Sequence, residues 1–445
     1  MKVRQTNIGF LLLVVAIASF ILLPLISIGY LAAENTDRIW AHLLSTVLFP
    51  YLSNTALLVV LVATGAAIIG TGTAWLVTNY SFPGQRLFEW ALLLPLAMPA
   101  YVVAYVYTDL LDYSGALQTG LRDFFGWQTK RDYWFPEIRS LSGAASMLIL
   151  VLYPYVYLLT RSSFVKQARC YIDASRLLGL GPFSSFFSTA LPLVRPALVV
   201  GVALVSMETI ADYGTVSYFG VQTLSAGVFD VWLNKQSSAG AAQLALLMLI
   251  IVLTLLLLER YFRRELTTAD RRARFDSLVH PRLKPLPGLF AFLVCFLPLF
   301  FGFLLPALVL VKFSLSYWQY AWTDKFVSSL FVSLKLSSSV AVVAVILALI
   351  LAYANRLQYS YWFKGFIRLA TMGYALPGAV VALGVLIPFA AFDRWFDGII
   401  ENSYGIDVGL FLSGSLFAIG FAYLVRLLPI AFGAVETSLE RVTDN

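Results

Sequence analysis

LALLMLIIVLTLLLL, residues Leu244–Leu258, carries no charge over fifteen positions and shows no alternation of polar and apolar side chains. A strand with one wet face alternates with a period of two, as do the strands of a membrane barrel, so this run reads as helix. With its apolar flanks it reaches the roughly 20 residues that cross a hydrocarbon core of about 30 Å. LLLVVAIASFILL, Leu11–Leu23, has the same character. Working outward, ten such stretches can be marked, at 8–28, 55–78, 88–110, 143–160, 197–218, 240–260, 287–311, 328–354, 364–389 and 409–430. The 445 residues are 60% hydrophobic and 12% charged, against about 45–50% and about 25% in soluble domains. A soluble fold is excluded, and an all-α, polytopic transmembrane helical bundle is expected.

The net charge of +7 could signal nucleic acid or an anionic surface, so its distribution matters. Alternate connections differ sharply. With the N-terminus inside, the inner segments hold 21 of the Lys and Arg residues and the outer ones nine, leaving Lys335 within a span. That asymmetry places the N-terminus in the cytoplasm and accounts for the Arg271–Arg274 cluster without nucleic acid. The apolar run after Lys2 and Arg4 is longer than a signal-peptide core and reads as a retained anchor helix. Two cysteines, Cys170 and Cys295, and two histidines, His42 and His280, offer neither a disulfide framework nor a zinc site. Cys170 is assigned no chemistry.

The chain also repeats weakly at an offset of 278: LAMPAYVVA, Leu96–Ala104, lies over YALPGAVVA, Tyr374–Ala382, pairing Pro99 with Pro377. Both halves carry Leu-Ser-Gly before a later span, at Leu141 and Leu412. The offset joins inner loops to inner loops, so the repeats are parallel. Residues 1–50 are expected to hold the anchor helix and an outer loop, and 51–262 a first core with a loop at 165–196. A cytoplasmic linker follows at 263–286, then an extra helix at 287–325 and a second core at 326–445. The second core stops where its counterpart loop would begin, so about ten spans of an expected twelve are read as present. Pro99 and Pro377 are expected to kink their helices.

The loop after the fourth span reads ARCYIDASRLLGLGPFSSFFSTALPLVRPAL, Ala168–Leu198. Small residues at Ala174 and Ser175 permit a close neighbour. Gly179 and Gly181 can take the positive φ that ends a helix, and Pro192 and Pro196 suit the start of the next one. This pattern resembles the EAA coupling motif of bacterial ABC importer permeases in Asp173, Ala174, Ser175, Gly179 and Leu191-Pro192, with Asp in place of Glu and Ser in place of the second Ala. The resemblance covers nearly the whole chain as two fused MetI-like permease cores. In METIADYGTVSYFGVQTLSAGVF, Met207–Phe229, it is similar to the ferric-iron uptake branch, with thiamine and other small-solute permeases as the alternative. It implies an inner-membrane transport subunit that works with two copies of an ATP-hydrolysing subunit and a periplasmic solute-binding protein. The chain has no Gly-Lys dipeptide, hence no phosphate-binding loop of its own. No cofactor, resident metal or catalytic residue is expected.

Glu208, Asp212 and Tyr213 are candidates for the translocation path, with Glu208 expected near the middle of its span, Asp212 on the same helix face, and Lys335 able to pair with Glu208 or to snorkel outward. Structural burial of these groups accounts for them equally well. An ion-driven secondary transporter would use the same charges. An intramembrane enzyme lacks the Ser/His or HExxH arrangement it needs. The outer segment 111–141, with Trp127, Tyr133 and Trp134, is a candidate surface for a binding protein, or an aromatic belt.

Overall fold

The computed structural model describes residues 8–34, 36–166, 175, 177, 179–270, 281–357, 361–371, 373, 376–405, 407 and 409–440. Among them the secondary structure is helical, apart from one isolated bridge between Ser81 and Arg282. Nine helices are long and apolar enough to cross a membrane, or up to ten if one sharply bent pair counts as a span.

The helices are α1 (Ile8–Ala32), α2 (Asp37–Thr46), α3 (Leu48–Asn79), α4 (Gln85–Ala91), α5 (Ala100–Leu111), α6 (Ala116–Phe125) and α7 (Leu141–Lys166). Next come α8 (Phe183–Ala211), α9 (Gly214–Tyr218), α10 (Leu224–Phe229), α11 (Ser238–Asp270) and α12 (Pro285–Ala321). The last are α13 (Asp324–Leu357), α14 (Tyr361–Ala370), α15 (Gly378–Tyr404) and α16 (Leu416–Glu440).

Three expectations need correction. The stretch 88–110 is not one straight span: the chain bends by 89° between Gln85–Ala97 and Ala100–Phe125. Met98 is extended, because the ring of Pro99 disfavours helical geometry in the residue before it, and Pro99 then caps α5. Pro377 likewise caps α15, so both prolines start helices where kinks were expected, and the stretch 364–389 resolves into α14 and α15. The expected span 197–218 is shifted, since α8 begins at Phe183 and ends at Ala211.

Prolines inside α8 and α12 are handled by another device. A π-helical turn, Phe186–Ala190, precedes Leu191-Pro192, and a second, Phe300–Leu304, precedes Leu305-Pro306. Proline cannot donate to the carbonyl four residues back and its ring collides with it. The wider π turn relieves that collision without ending the helix.

The chain divides into two compact units, each discontinuous in sequence. One comprises Val47–Ala226 and Leu253–Tyr317; the other comprises Met1–Thr46, Gly227–Val252 and Trp318–Asn445. In the first unit α3, α7 and α8 pack on one another, and the first part of α12 lies against α3, α4 and the π turn's neighbour α7. A Cβ built on Gly302 of α12 would stand 2.7 Å from the Leu150 carbonyl oxygen of α7. In the second unit α1 packs along α15, and α13 along α16. A Cβ on Gly384 of α15 would stand 2.5 Å from the Pro24 carbonyl oxygen of α1. α12 therefore packs in the unit that holds α3, α7 and α8, and α1 in the unit that holds α13, α15 and α16.

The tightest part of the first unit is the α3–α7 contact. A Cβ on Gly70 would lie 2.8 Å from both the Tyr153 carbonyl oxygen and the Tyr157 nitrogen, which are backbone and cannot swing away. Gly72, two residues on, has nothing within 4 Å of the same construction. Thermal unfolding in detergent should separate the two sites. Gly70→Ala is expected to destabilise by roughly 1–3 kcal/mol through overpacking, and Gly72→Ala to be neutral or to gain up to about 1 kcal/mol of helix propensity. Equal melting temperatures for the two variants would contradict this packing.

Candidate functional site

Of the residues expected to couple the chain to a motor, Asp173, Ala174 and Cys170 lie outside the described residues. Ser175 is buried, and its hydroxyl meets that of Ser185 at 2.5 Å. The Leu180 N–H donates to the Ser175 carbonyl at 3.1 Å. Gly179 has φ +83° and stands in open space, as a chain-reversing turn requires. Gly181 does not take positive φ, so one glycine makes the turn that two were expected to share. Leu191 and Pro192 lie within α8, downstream of its start, because the π turn absorbs the proline.

Trp75 of α3 fixes where this segment sits. Its ring meets Phe164 of α7 and Phe186 of the π turn, each at 5.3 Å between centroids. Three helices thus converge on one indole at the root of the loop. Beyond that anchor the apolar side chains face outward: Leu177 is 89% exposed, and Phe183 and Phe187 are exposed too. An apolar patch held on a rigid base is what a protein partner can grip. The sequence reading passed over Leu177, Phe183 and Phe187, although the run of Phe on either side of the two serines was the signal.

Glu208 and Asp212 lie at the other end of α8. Glu208 is in its last turn, not at mid-helix, since α8 ends at Ala211. Asp212 is a cap. Its carboxylate accepts from the Thr215 N–H at 3.0 Å, the Thr215 hydroxyl at 3.0 Å and the Val216 N–H at 3.1 Å, which initiates α9. Its own carbonyl accepts the Ser225 hydroxyl at 2.6 Å. Thr55 of α3 takes the Leu224 N–H at 2.9 Å, and Asn54 donates to the Gln222 carbonyl at 2.9 Å. Tyr213 is partly exposed beside this turn. Asp212, Tyr213 and Glu208 are thus brought together. Lys335 belongs to the other compact unit, where it is exposed on the rim of an apolar groove of about 580 Å³ between α1, α13 and α16.

Two polar anchors escaped the sequence reading. Arg161 of α7 donates to Glu89 of α4 at 2.9 Å, and the Tyr157 hydroxyl donates to the Glu89 carbonyl at 3.1 Å. In the other unit Gln243, a polar residue within apolar α11, accepts from the Thr36 hydroxyl and the Trp40 indole N–H and donates to the carbonyls of Ala32 and Glu34. A lone Gln in an apolar run was the available signal.

The connection between α6 and α7 is also preorganised. Phe125, Trp127 and Tyr133 stack in series, at 4.6 and 4.8 Å between centroids. Arg122 donates to the Tyr133 hydroxyl and to the Tyr113 carbonyl while its guanidinium lies 4.2 Å from the Tyr113 ring centre. The backbone N–H groups of Thr129 and Gln128 hold the Asp132 carboxyl below its usual range. Trp134 projects from this frame, 85% exposed. No group of metal-ligating side chains stands together among the described residues.

α8 thus carries an outward-facing apolar segment at one end and a capped turn at the other. Residues 66–268, which include α7, the loop and α8, match the family model described as "Binding-protein-dependent transport system inner membrane component". The chain carries a permease domain of that family. It is similar to the Fe(3+)-transport system permease protein FbpB 2 of Haemophilus influenzae, at 25% identity over 407 residues, covering 88% of this chain and 71% of that protein. The molybdenum transport system permease protein ModB of Escherichia coli is 27% identical over 179 residues, 39% of this chain and 75% of ModB. The sulfate permease CysT of Escherichia coli is 28% identical over 152 residues, 34% of this chain and 51% of CysT. The protein is thus a multi-pass inner-membrane ABC importer permease, a transport subunit and not an enzyme.

Asp212→Ala removes three accepted hydrogen bonds at the permease's α8–α9 turn. Bonds to a charged group contribute about 1.5–3 kcal/mol each when both partners stay buried, so the turn should open locally. Hydrogen exchange is expected to rise at least tenfold over Gly214–Tyr218 while α3 and α7 keep their protection. Unchanged exchange in α9 would show that the cap is dispensable.

Proposed function

We propose that this permease moves ferric iron from a periplasmic binding protein into the cytoplasm, driven by two copies of a separate ATP-hydrolysing subunit. One observation carries the solute: similarity to a permease named for Fe(3+) transport extends over 88% of the chain. The molybdenum and sulfate permeases match 39% and 34%. The N-terminus lies in the cytoplasm, as the excess of Lys and Arg on one set of connections favours. In this reading residues 51–262 and 326–445 are two permease cores linked through 263–286, with 1–50 and 287–325 supplying the leading helices.

The 165–196 loop is the handle. Asp173, Ala174, Ser175, Gly179, Leu191 and Pro192 give it the spacing of the coupling motif, and exposed Leu177 and Phe183 supply its grip. Pulling on it would tilt α8 about the Trp75 anchor and displace the Glu208–Tyr213 end. The permease is then a two-state element, its equilibrium set by the motor on one side and the loaded binding protein on the other. The stacked aromatic connection bearing Trp134 is the surface offered to the binding protein.

Uptake of radioactive iron, molybdate and sulfate by cells that express the permease with its motor and binding protein tests the solute, and iron uptake alone is expected. Accumulation of either oxyanion without iron would overturn the assignment. Leu177→Asp is expected to lower recovery of the ATP-hydrolysing subunit with the permease about tenfold or more, because a charge replaces a desolvated apolar contact. Full recovery would remove the loop from the interface.

A further inference from the structure

Before α12, residues 281–284 are clamped beside the turn between α3 and α4. The Ser81 N–H donates to the Pro281 carbonyl at 3.1 Å, and the Leu283 N–H donates to the Ser81 carbonyl at 3.0 Å, a parallel bridge of Ser81 with Arg282. In an extended segment alternate side chains point to opposite faces. Leu283 packs inward against the hydrophobic core. Arg282 and Lys284 therefore share the outward face, and both are exposed. Among the described residues neither forms a salt bridge.

These two cations border a cavity of about 830 Å³ lined by Phe82, Pro83, Pro285 and Gly288. Two basic side chains on one face make a positively charged corner, which an anionic head group complements. α12 continues from the cavity's edge at Pro285 and Gly288 with an apolar strip. Leu286, Leu289, Phe290, Leu293 and Leu297 are all exposed, and their spacing of three and four residues puts them on one face of α12 over about 16 Å. Leu87 and Trp90 of α4 are exposed too. α4 and α12 are held together there by Phe88 against Phe292, at 5.4 Å.

A negative head with a long apolar tail matches both features at once. We propose that this corner binds an anionic phospholipid, its phosphate between Arg282 and Lys284 and an acyl chain along the Leu286–Leu297 strip. The membrane leaflet, the cytoplasmic one, rests on the orientation proposed above. A free phosphate would satisfy the cations but leave the strip without a role, and a neutral lipid would satisfy the strip but not the cations. Because the clamp joins the first core to the start of α12, an occupant there braces the helix that the second repeat contributes to the first unit.

Native mass spectrometry of the purified full chain in detergent, titrated with phosphatidylglycerol or phosphatidylcholine, tests the site. Retention of phosphatidylglycerol over phosphatidylcholine is expected. The double variant Arg282→Gln/Lys284→Gln should bind phosphatidylglycerol roughly 10- to 30-fold more weakly, the effect of two basic residues near an anionic head group. Arg282→Lys/Lys284→Arg, which keeps both charges, should bind as the unaltered chain does. Equal retention of the two lipids by the unaltered chain overturns the proposal even where the Gln variant fails to fold. So does a Gln variant that binds normally. Displacement of the lipid by millimolar inorganic phosphate would mark a free-anion site and also refute it. The readout needs no transport, so loss of iron uptake and loss of lipid binding are separate results.

Discussion

Helices in a membrane are not driven together by hydrophobicity, since lipid tails are as apolar as leucine; they associate where backbones can approach closely and where polar groups find partners. The first unit depends on that constraint at Gly70, where α3 comes close enough to touch the α7 main chain at Tyr153 and Tyr157. With that approach fixed, Trp75 falls one turn further along α3, between Phe164 and Phe186. The segment leading into α8 is thereby rooted in packed helix. Its other side is free to present Leu177 and Phe183. Glu89 and Arg161 add a polar tie between α4 and α7 in the same unit.

The same logic holds inside each compact unit. α12 contributes Gly302 and Phe292 to the first unit, and α1 contributes Pro24 to the second. A permease that opens and closes must let two parts move while each part stays internally rigid. Each unit taken by itself is rigid where a glycine lets one helix touch its neighbour's backbone, at Gly302 against Leu150 in one and at Gly384 against Pro24 in the other.

Much of this was legible before any coordinates, and the divisions follow physical lines. Uninterrupted apolar runs near 20 residues long can satisfy their backbone in lipid only as helix, so the bundle and its approximate count could be read from Leu11–Leu23 and Leu244–Leu258 alone. Helix ends were harder. Pro99 and Pro377 look the same in sequence whether they kink a helix or start one, and only the extended geometry at Met98 separates the two. The register of α8 was misjudged because the π turn lets Pro192 sit inside a helix it was expected to begin. Among candidate path residues, spacing placed Glu208 and Asp212 on one face, but which hydrogen-bond donors reach Asp212 is set by Thr215 and Val216 after the chain has turned. Such turns leave no periodic trace. Gln243 and the Glu89–Arg161 pair went unread because each needs a partner more than 70 residues away.

The relatives named for Fe(3+), molybdenum and sulfate transport are 25–28% identical to this chain over 88%, 39% and 34% of its length. Those names include both a cation and an oxyanion, so close helix packing, the rooted segment before α8 and the length of α8 do not by themselves choose the sign of the charge carried. Selection has to come from groups that the frame positions but does not require for its own stability. Asp212 is committed to starting α9, its carboxylate filled by three donors from the chain. With its acceptors taken up by the start of α9, Asp212 serves the frame, and a solute-discriminating group has to be sought outside that cap.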